Sequence, residues 1–83
     1  MHKIVNIKLT EGHKIHLYFE DGFNSEVDFE GFLQKGFARE LLEEENFGQV
    51  YIESGGGLAW KNGLDFCPNF LYETATKQIL QHA

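Results

Sequence analysis

The sequence predicts an α+β fold, a mostly antiparallel sheet covered by helices, and three observations carry that prediction. Its first third alternates apolar and polar side chains with period two, Glu11-Gly12 and Asp21-Gly22 interrupt the alternation as turns do, and after Asp28 the apolar spacing lengthens to helical values. The predicted order is strand, strand, strand, helix, strand, strand, helix. This is a three-stranded meander plus a hairpin, covered by short helices and a C-terminal helix, forming a single domain over residues 1–83.

Val5, Ile7 and Leu9 alternate with Asn6, Lys8 and Thr10, which predicts a first strand burying those three side chains, with Ile4 on the opposite face. Ile15, Leu17 and Phe19, set against Lys14, His16, Tyr18 and Glu20, predict the second. Asp21-Gly22 then predicts a two-residue hairpin turn of the primed type, with positive φ at both positions. Phe23, Ser25 and Val27 set one face of a third strand ending near Asp28. Asp28 is placed to cap a short helix that Gly36 ends, and Leu33, Phe37 and Leu41, four apart, predict a second short helix reaching Glu45. Glu43-Glu44-Glu45 would sit at the unfavourable end of that helix dipole and stop it. Phe47, Val50 and Ile52 begin a fourth strand, Ser54-Gly55-Gly56-Gly57 reads as a flexible hairpin tip, and Leu58-Ala59-Trp60 pairs back. Leu71, Ala75 and Ile79 at spacing four predict the closing helix from Pro68.

The stretch from Trp60 to Tyr72 holds the only Trp, the only Cys and the only Pro of the chain. Asn62-Gly63 is a turn dipeptide, Pro68 suits a first helical turn, and Asp65 is placed to accept from the free N–H groups of that turn. Trp60, Asn62, Gly63, Asp65, Pro68, Leu71 and Tyr72 are therefore read as scaffolding for a strand-to-helix corner. Trp60 and Tyr72 knit it to the sheet through their rings and polar tips.

At 83 residues the chain buries only about 60 % of its unfolded surface, and its eight Phe and 14 % aromatic content supply that burial with large rings. Seven basic against thirteen acidic residues leave a net charge of −6 and a pI near 5.0. Phosphate neutralisation needs a basic face, whereas Lys3, Lys8, Lys14, Lys35, Arg39, Lys61 and Lys77 are scattered, so a DNA-binding regulator is disfavoured and a basic protein partner fits. One Cys makes no internal disulfide, and no apolar run of signal-peptide or membrane-spanning length follows Met1. The expected setting is a reducing cytoplasm with no membrane partner.

Phe19-Glu20-Asp21-Gly22, Val27-Asp28, Phe47-Gly48-Gln49-Val50, and above all Trp60-Lys61-Asn62-Gly63-Leu64-Asp65 followed by Leu71-Tyr72, resemble the small bacterial proteins grouped as domain of unknown function 2442. The resemblance runs from Ile4 to Tyr72. The position of Lys61 is frequently proline in that family, and Thr74 to Ala83 lie beyond the match. The resemblance implies a short cytoplasmic α+β protein encoded beside another small protein in pairs that look like toxin and antitoxin. It brings no catalytic residues, and this chain has no residues after Tyr72 for the helix-turn-helix fused to some members.

No catalytic, cofactor or metal site is expected. His13 and His16 have a metal-like spacing, yet an odd separation on a strand sends the rings to opposite faces, so both are read as solvent-facing. His2 and His82 lie at termini, where disorder is the default. Cys67, between Phe66 and Pro68, is read as a small buried side chain. An enzyme or ligand site near Asp65 and Cys67, with the thiol activated by the helix start, is the alternative. Gly55-Gly56-Gly57 lack the Lys and the Ser or Thr of a nucleotide loop. Asp21, Asp28 and Asp65 each carry a turn or cap duty. Tyr18 and Tyr51, opposed to the core by strand parity, are the candidate partner-binding residues. An open sheet edge offers a second route, to a partner or a second copy of the chain.

Overall fold

Alternation, turns and a final helix build the meander as expected. In the computed structural model, which describes the backbone of residues 2–82 and the side chains of 2–77, β1 (Ile4–Leu9), β2 (Lys14–Phe19) and β3 (Asn24–Asp28) form an antiparallel sheet in the order β1-β2-β3. Ile15, Leu17, Phe19 and Val27 are buried, as period two requires. The first strand departs from its expected parity. Ile4 pairs with Phe19 while Asn6 pairs with Tyr18, so Val5 is an extra residue, a bulge. Ile4 is consequently buried and Val5 is 60 % exposed, the reverse of the alternation read across them.

The β2–β3 turn also differs from expectation. Gly22 alone has positive φ, +94°, and no non-glycine residue does. Gly22 N–H donates to the Phe19 carbonyl at 3.0 Å and Phe19 N–H to the Phe23 carbonyl at 2.9 Å. The loop is therefore three residues long and closes on a left-handed glycine. The Asp21 carboxylate accepts from Phe23 N–H at 2.9 Å, supplying the local bond that an Asx residue offers a turn.

Asp28 accepts from Glu30 N–H at 3.0 Å and opens a 3-10 turn at Glu30–Phe32. The next segment is also 3-10, over Gly36–Leu42, and buries Ala38 and Leu41 while Phe37 is 54 % exposed. Spacing four mis-phased it because a 3-10 helix repeats every three residues. Glu43 is extended, and α1 (Glu44–Phe47) begins after it. The acidic run thus opens a helical turn instead of closing one, and Phe47 is the buried end of α1, not the start of a strand.

A second antiparallel sheet follows, of β4 (Tyr51–Ile52), β5 (Leu58–Ala59) and β6 (Asp65–Phe66) in the order β4-β5-β6. The expected hairpin gains a third strand at Asp65, which pairs with Ala59 instead of capping the helix. The glycine tip is not loose. Gly56 and Gly57 are buried, Ile4 N–H donates to the Gly56 carbonyl at 2.9 Å, and a Cβ at Gly57 would collide with the Phe66 carbonyl. Bare backbone at this point lets the two sheets meet. α2 (Pro68–His82) starts on Pro68, lies against β3, and buries Leu71 and Ala75; the Ile79 and His82 side chains are outside the described residues. One apolar cluster joins both sheets, the 3-10 segments and α2 around Phe29, Leu33, Leu41, Phe47, Leu58 and Trp60.

Candidate functional site

The Trp60–Leu64 turn has the same three-residue geometry as Phe19–Phe23. Gly63 N–H donates to the Trp60 carbonyl at 3.0 Å, Trp60 N–H donates to the Leu64 carbonyl at 2.9 Å, and Gly63 has φ +98°. Asn62 Oδ1 accepts from Leu64 N–H at 3.1 Å. Trp60 is 2 % exposed, packs on Phe29, Phe47 and Phe66, and donates its indole Nε1–H to the Phe47 carbonyl at 2.9 Å. The polar tip of the ring thus satisfies the end of α1 in a dry environment.

A second aromatic side chain joins α2 to the β2–β3 turn. Tyr72 on α2 donates its hydroxyl to Asp21 Oδ2 at 2.8 Å, and its ring meets His2, Phe19 and Phe23. His2 is therefore stacked, with centroids 3.7 Å apart, where terminal disorder was expected. Hydrogen bonds from Phe23 N–H and then from the Tyr72 hydroxyl hold the Asp21 carboxyl below its ordinary 3.8. The same carboxylate holds the Tyr72 phenol above its ordinary 10.0.

Beside the Trp60 turn lies an open cleft of about 210 Å3, lined by Glu40, Leu41, Asn46, Gln49, Trp60, Lys61 and Asn62. The turn residues read as scaffolding therefore also wall a concavity. Asn62 Nδ2 bridges to the Phe37 carbonyl at 3.2 Å and to Glu40 Oε1 at 3.3 Å, while Asn46 Nδ2 donates to the Glu40 carbonyl at 3.0 Å. Sequence reasoning missed Glu40 and Asn46. No spacing marks them, because three separate segments meet there.

The remaining candidates are dispersed. Tyr18 lies half-buried on the outer face of the first sheet against His16, and Tyr51 is 52 % exposed on β4 of the second. Asp65 is exposed on β6. Cys67 is exposed too, not buried as expected, because Phe66 and Leu71 fill the core around the corner. Neither lines the cleft. His16 Nε2 meets Asn24 Oδ1 at 2.8 Å. His13, expected to face solvent, is half-buried. Its Nε2–H donates to the Leu42 carbonyl at 2.8 Å and its ring stands edge-on to Phe47, clamping the β1–β2 turn to the helical segment. Among the described residues no group of three or more His, Cys, Asp and Glu gathers as metal ligands would, and no helix is long and apolar enough to cross a membrane.

A family model described as Protein of unknown function (DUF2442) matches residues 4–77, which extends past Tyr72 into α2. No curated protein and no solved structure matches the chain.

Proposed function

The chain belongs to the DUF2442 family of proteins of unknown function, and from that footing we propose that it is a non-enzymatic module that binds a basic protein partner. The observation that carries this reading is a run of uncompensated acid beside exposed rings. Glu43, Glu44 and Glu45 are exposed, no Lys or Arg of the described residues closes an ion pair on them, and Phe37 and Tyr51 stand exposed to either side in sequence. Such charge steers a cationic partner, and aromatic side chains at the surface give it something to bury. The partner is a small protein encoded nearby, of the kind an antitoxin masks, met in a reducing cytoplasm.

Affinity capture from the organism that encodes the chain tests this. The expected result is one stoichiometric basic protein, released by salt as screening of surface charge demands. Recovery of no stoichiometric protein would sink the reading. A ligand or enzyme site at Asp65 and Cys67 has the exposure of both side chains in its favour. It fails if Asp65→Asn and Cys67→Ser change stability alone.

A further inference from the structure

Of the five asparagines in the chain only Asn62 precedes a glycine; Ile7, Ser25, Phe47 and Phe70 follow the others. With no side chain on the following residue, nothing hinders its backbone nitrogen from approaching the asparagine amide. The reaction open to such a pair needs water alone. The Gly63 nitrogen, once deprotonated, bonds to Asn62 Cγ, the Cγ–Nδ2 bond breaks, and ammonia leaves with a proton from solvent. Water then opens the cyclic imide at one of two bonds. Cleavage of the new N–Cγ bond gives aspartate, and cleavage at the main-chain carbonyl gives isoaspartate, whose backbone runs through Cβ and is one atom longer. No electrons are exchanged, and an amide and water have become a carboxylate and ammonium.

The fold opposes ring closure at this residue. Gly63 N–H is engaged by the Trp60 carbonyl at 3.0 Å. The amide it would attack is held at both ends, Oδ1 by Leu64 N–H at 3.1 Å and Nδ2 by the Phe37 carbonyl at 3.2 Å and Glu40 Oε1 at 3.3 Å. Asn62 is also half-buried, whereas the other four asparagines are exposed. Closing the imide turns the amide onto the Gly63 nitrogen, so these bonds must break first. Local opening is fast and the chemistry slow, so the rate in the folded chain is the unfolded rate multiplied by the open fraction of the turn.

The product cannot rebuild what was broken. A carboxylate at position 62 has no hydrogen to give the Phe37 carbonyl and meets Glu40 with like charge. Isoaspartate also adds an atom to a loop that Trp60 N–H closes onto the Leu64 carbonyl at 2.9 Å.

We propose that Asn62 is a deamidation site gated by opening of the Trp60–Leu64 turn, and that its conversion irreversibly detaches this turn from the Gly36–Leu42 segment. The site needs no partner and stands apart from the binding reading above.

The full chain, folded or in guanidinium chloride, is incubated at mildly alkaline pH, and peptide mass mapping follows the amide-to-acid change at each asparagine. In the unfolded chain Asn62 should convert first, and Gly63→Ala should slow it about tenfold or more there. In the folded chain Asn62 should convert at least about tenfold more slowly than in the unfolded one, by the factor that protects the Gly63 and Leu64 amides from hydrogen exchange. Glu40→Ala, which removes one acceptor of the Nδ2 hydrogens, should raise the folded rate about threefold and leave the unfolded rate unchanged. The product, separated by its added negative charge, should unfold at lower denaturant than the parent chain, with the isoaspartyl form the less stable.

Equal Asn62 rates in the folded and unfolded chains would overturn the gating, as would a folded rate indifferent to Glu40→Ala. Conversion in the unfolded chain that ignores Gly63→Ala would remove Gly63 as the nucleophile. A folded chain that converts at Asn24, exposed on β3, while Asn62 stays intact would refute the site. A product as stable as the parent chain would refute the detachment.

Discussion

The turns at Phe19–Phe23 and Trp60–Leu64 share one backbone and a glycine at the fourth position, and the choice that separates their tertiary roles is Asp against Asn at the third. Each begins on a buried aromatic residue and closes on a left-handed glycine. In each, the Asx oxygen accepts from the N–H two residues on. Beyond the turn they diverge. Asp21 meets a hydroxyl donor from Tyr72, which a carboxylate accepts well. Asn62 meets two acceptors, a carbonyl and a carboxylate, to which only an amide can donate. Equivalent turns are thus addressed to different tertiary partners by the one atom that separates the two side chains. A third turn of the same geometry, Glu53–Gly57, has Gly55 in that position and docks by backbone alone.

The largest expected effect concerns the aromatic first residue. Phe19→Ala and Trp60→Ala should each cost about 3–5 kcal/mol. Trp60→Ala should exceed its counterpart by about 1 kcal/mol, because the buried Phe47 carbonyl loses the indole donor and keeps only the longer bond from Val50 N–H at 3.3 Å. Urea unfolding followed by far-UV circular dichroism measures both, and equal losses would show that the indole bond contributes nothing. Next comes the turn without an Asx. Gly57→Ala forces a methyl against the Phe66 carbonyl and should cost about 1–3 kcal/mol, with the β5–β6 amides losing hydrogen-exchange protection first. Asn62→Asp should follow at about 1–2 kcal/mol, since it sets a carboxylate against Glu40 and the Phe37 carbonyl. Asn62→Asp combined with Glu40→Gln should recover part of that loss in a double-mutant cycle.

The smallest effect is expected at Asp21, where Asn keeps an acceptor for Phe23 N–H, so thermal stability at neutral pH should fall less than for Asn62→Asp. Its signature is the pH profile. The folded carboxyl lies below its ordinary 3.8, so its contribution is complete above that value and disappears as pH falls through the folded value. The Tyr72 phenol lies above its ordinary 10.0, so its contribution is complete below 10.0 and is lost as pH rises through the folded value. Asp21→Asn should flatten both limbs of stability against pH. A variant that retains either limb would place that dependence on other groups.

Much of the fold was legible because it is local. Alternation at Ile15, Leu17 and Phe19, the turn chemistry of Asp21-Gly22 and Asn62-Gly63, Pro68 at a helix start, and the burial of Leu71 and Ala75 all lie within a few residues of their cause. The misreadings have local causes as well. One inserted residue at Val5 inverted the strand parity before it, and a three-residue repeat at Phe37 passed for a four-residue one. The cleft was half legible. Trp60 and Asn62 stood out by their motif, whereas Glu40 and Asn46 had no spacing to betray them.

By itself the order of residues determined the α+β class, the meander, the turn positions, the closing helix, and the acidic balance of the chain. Only the folded chain decided that Ile4 would be buried, that Gly56 and Gly57 would join the sheets, that His13 would clamp Leu42, and that Asn62 would reach Phe37 and Glu40. The reason is separation along the chain. Periodicity and turn propensity act over a few residues, while Asn62 and Phe37 lie 25 apart and Tyr72 and Asp21 lie 51 apart, and such pairs exist only once packing has brought their elements together.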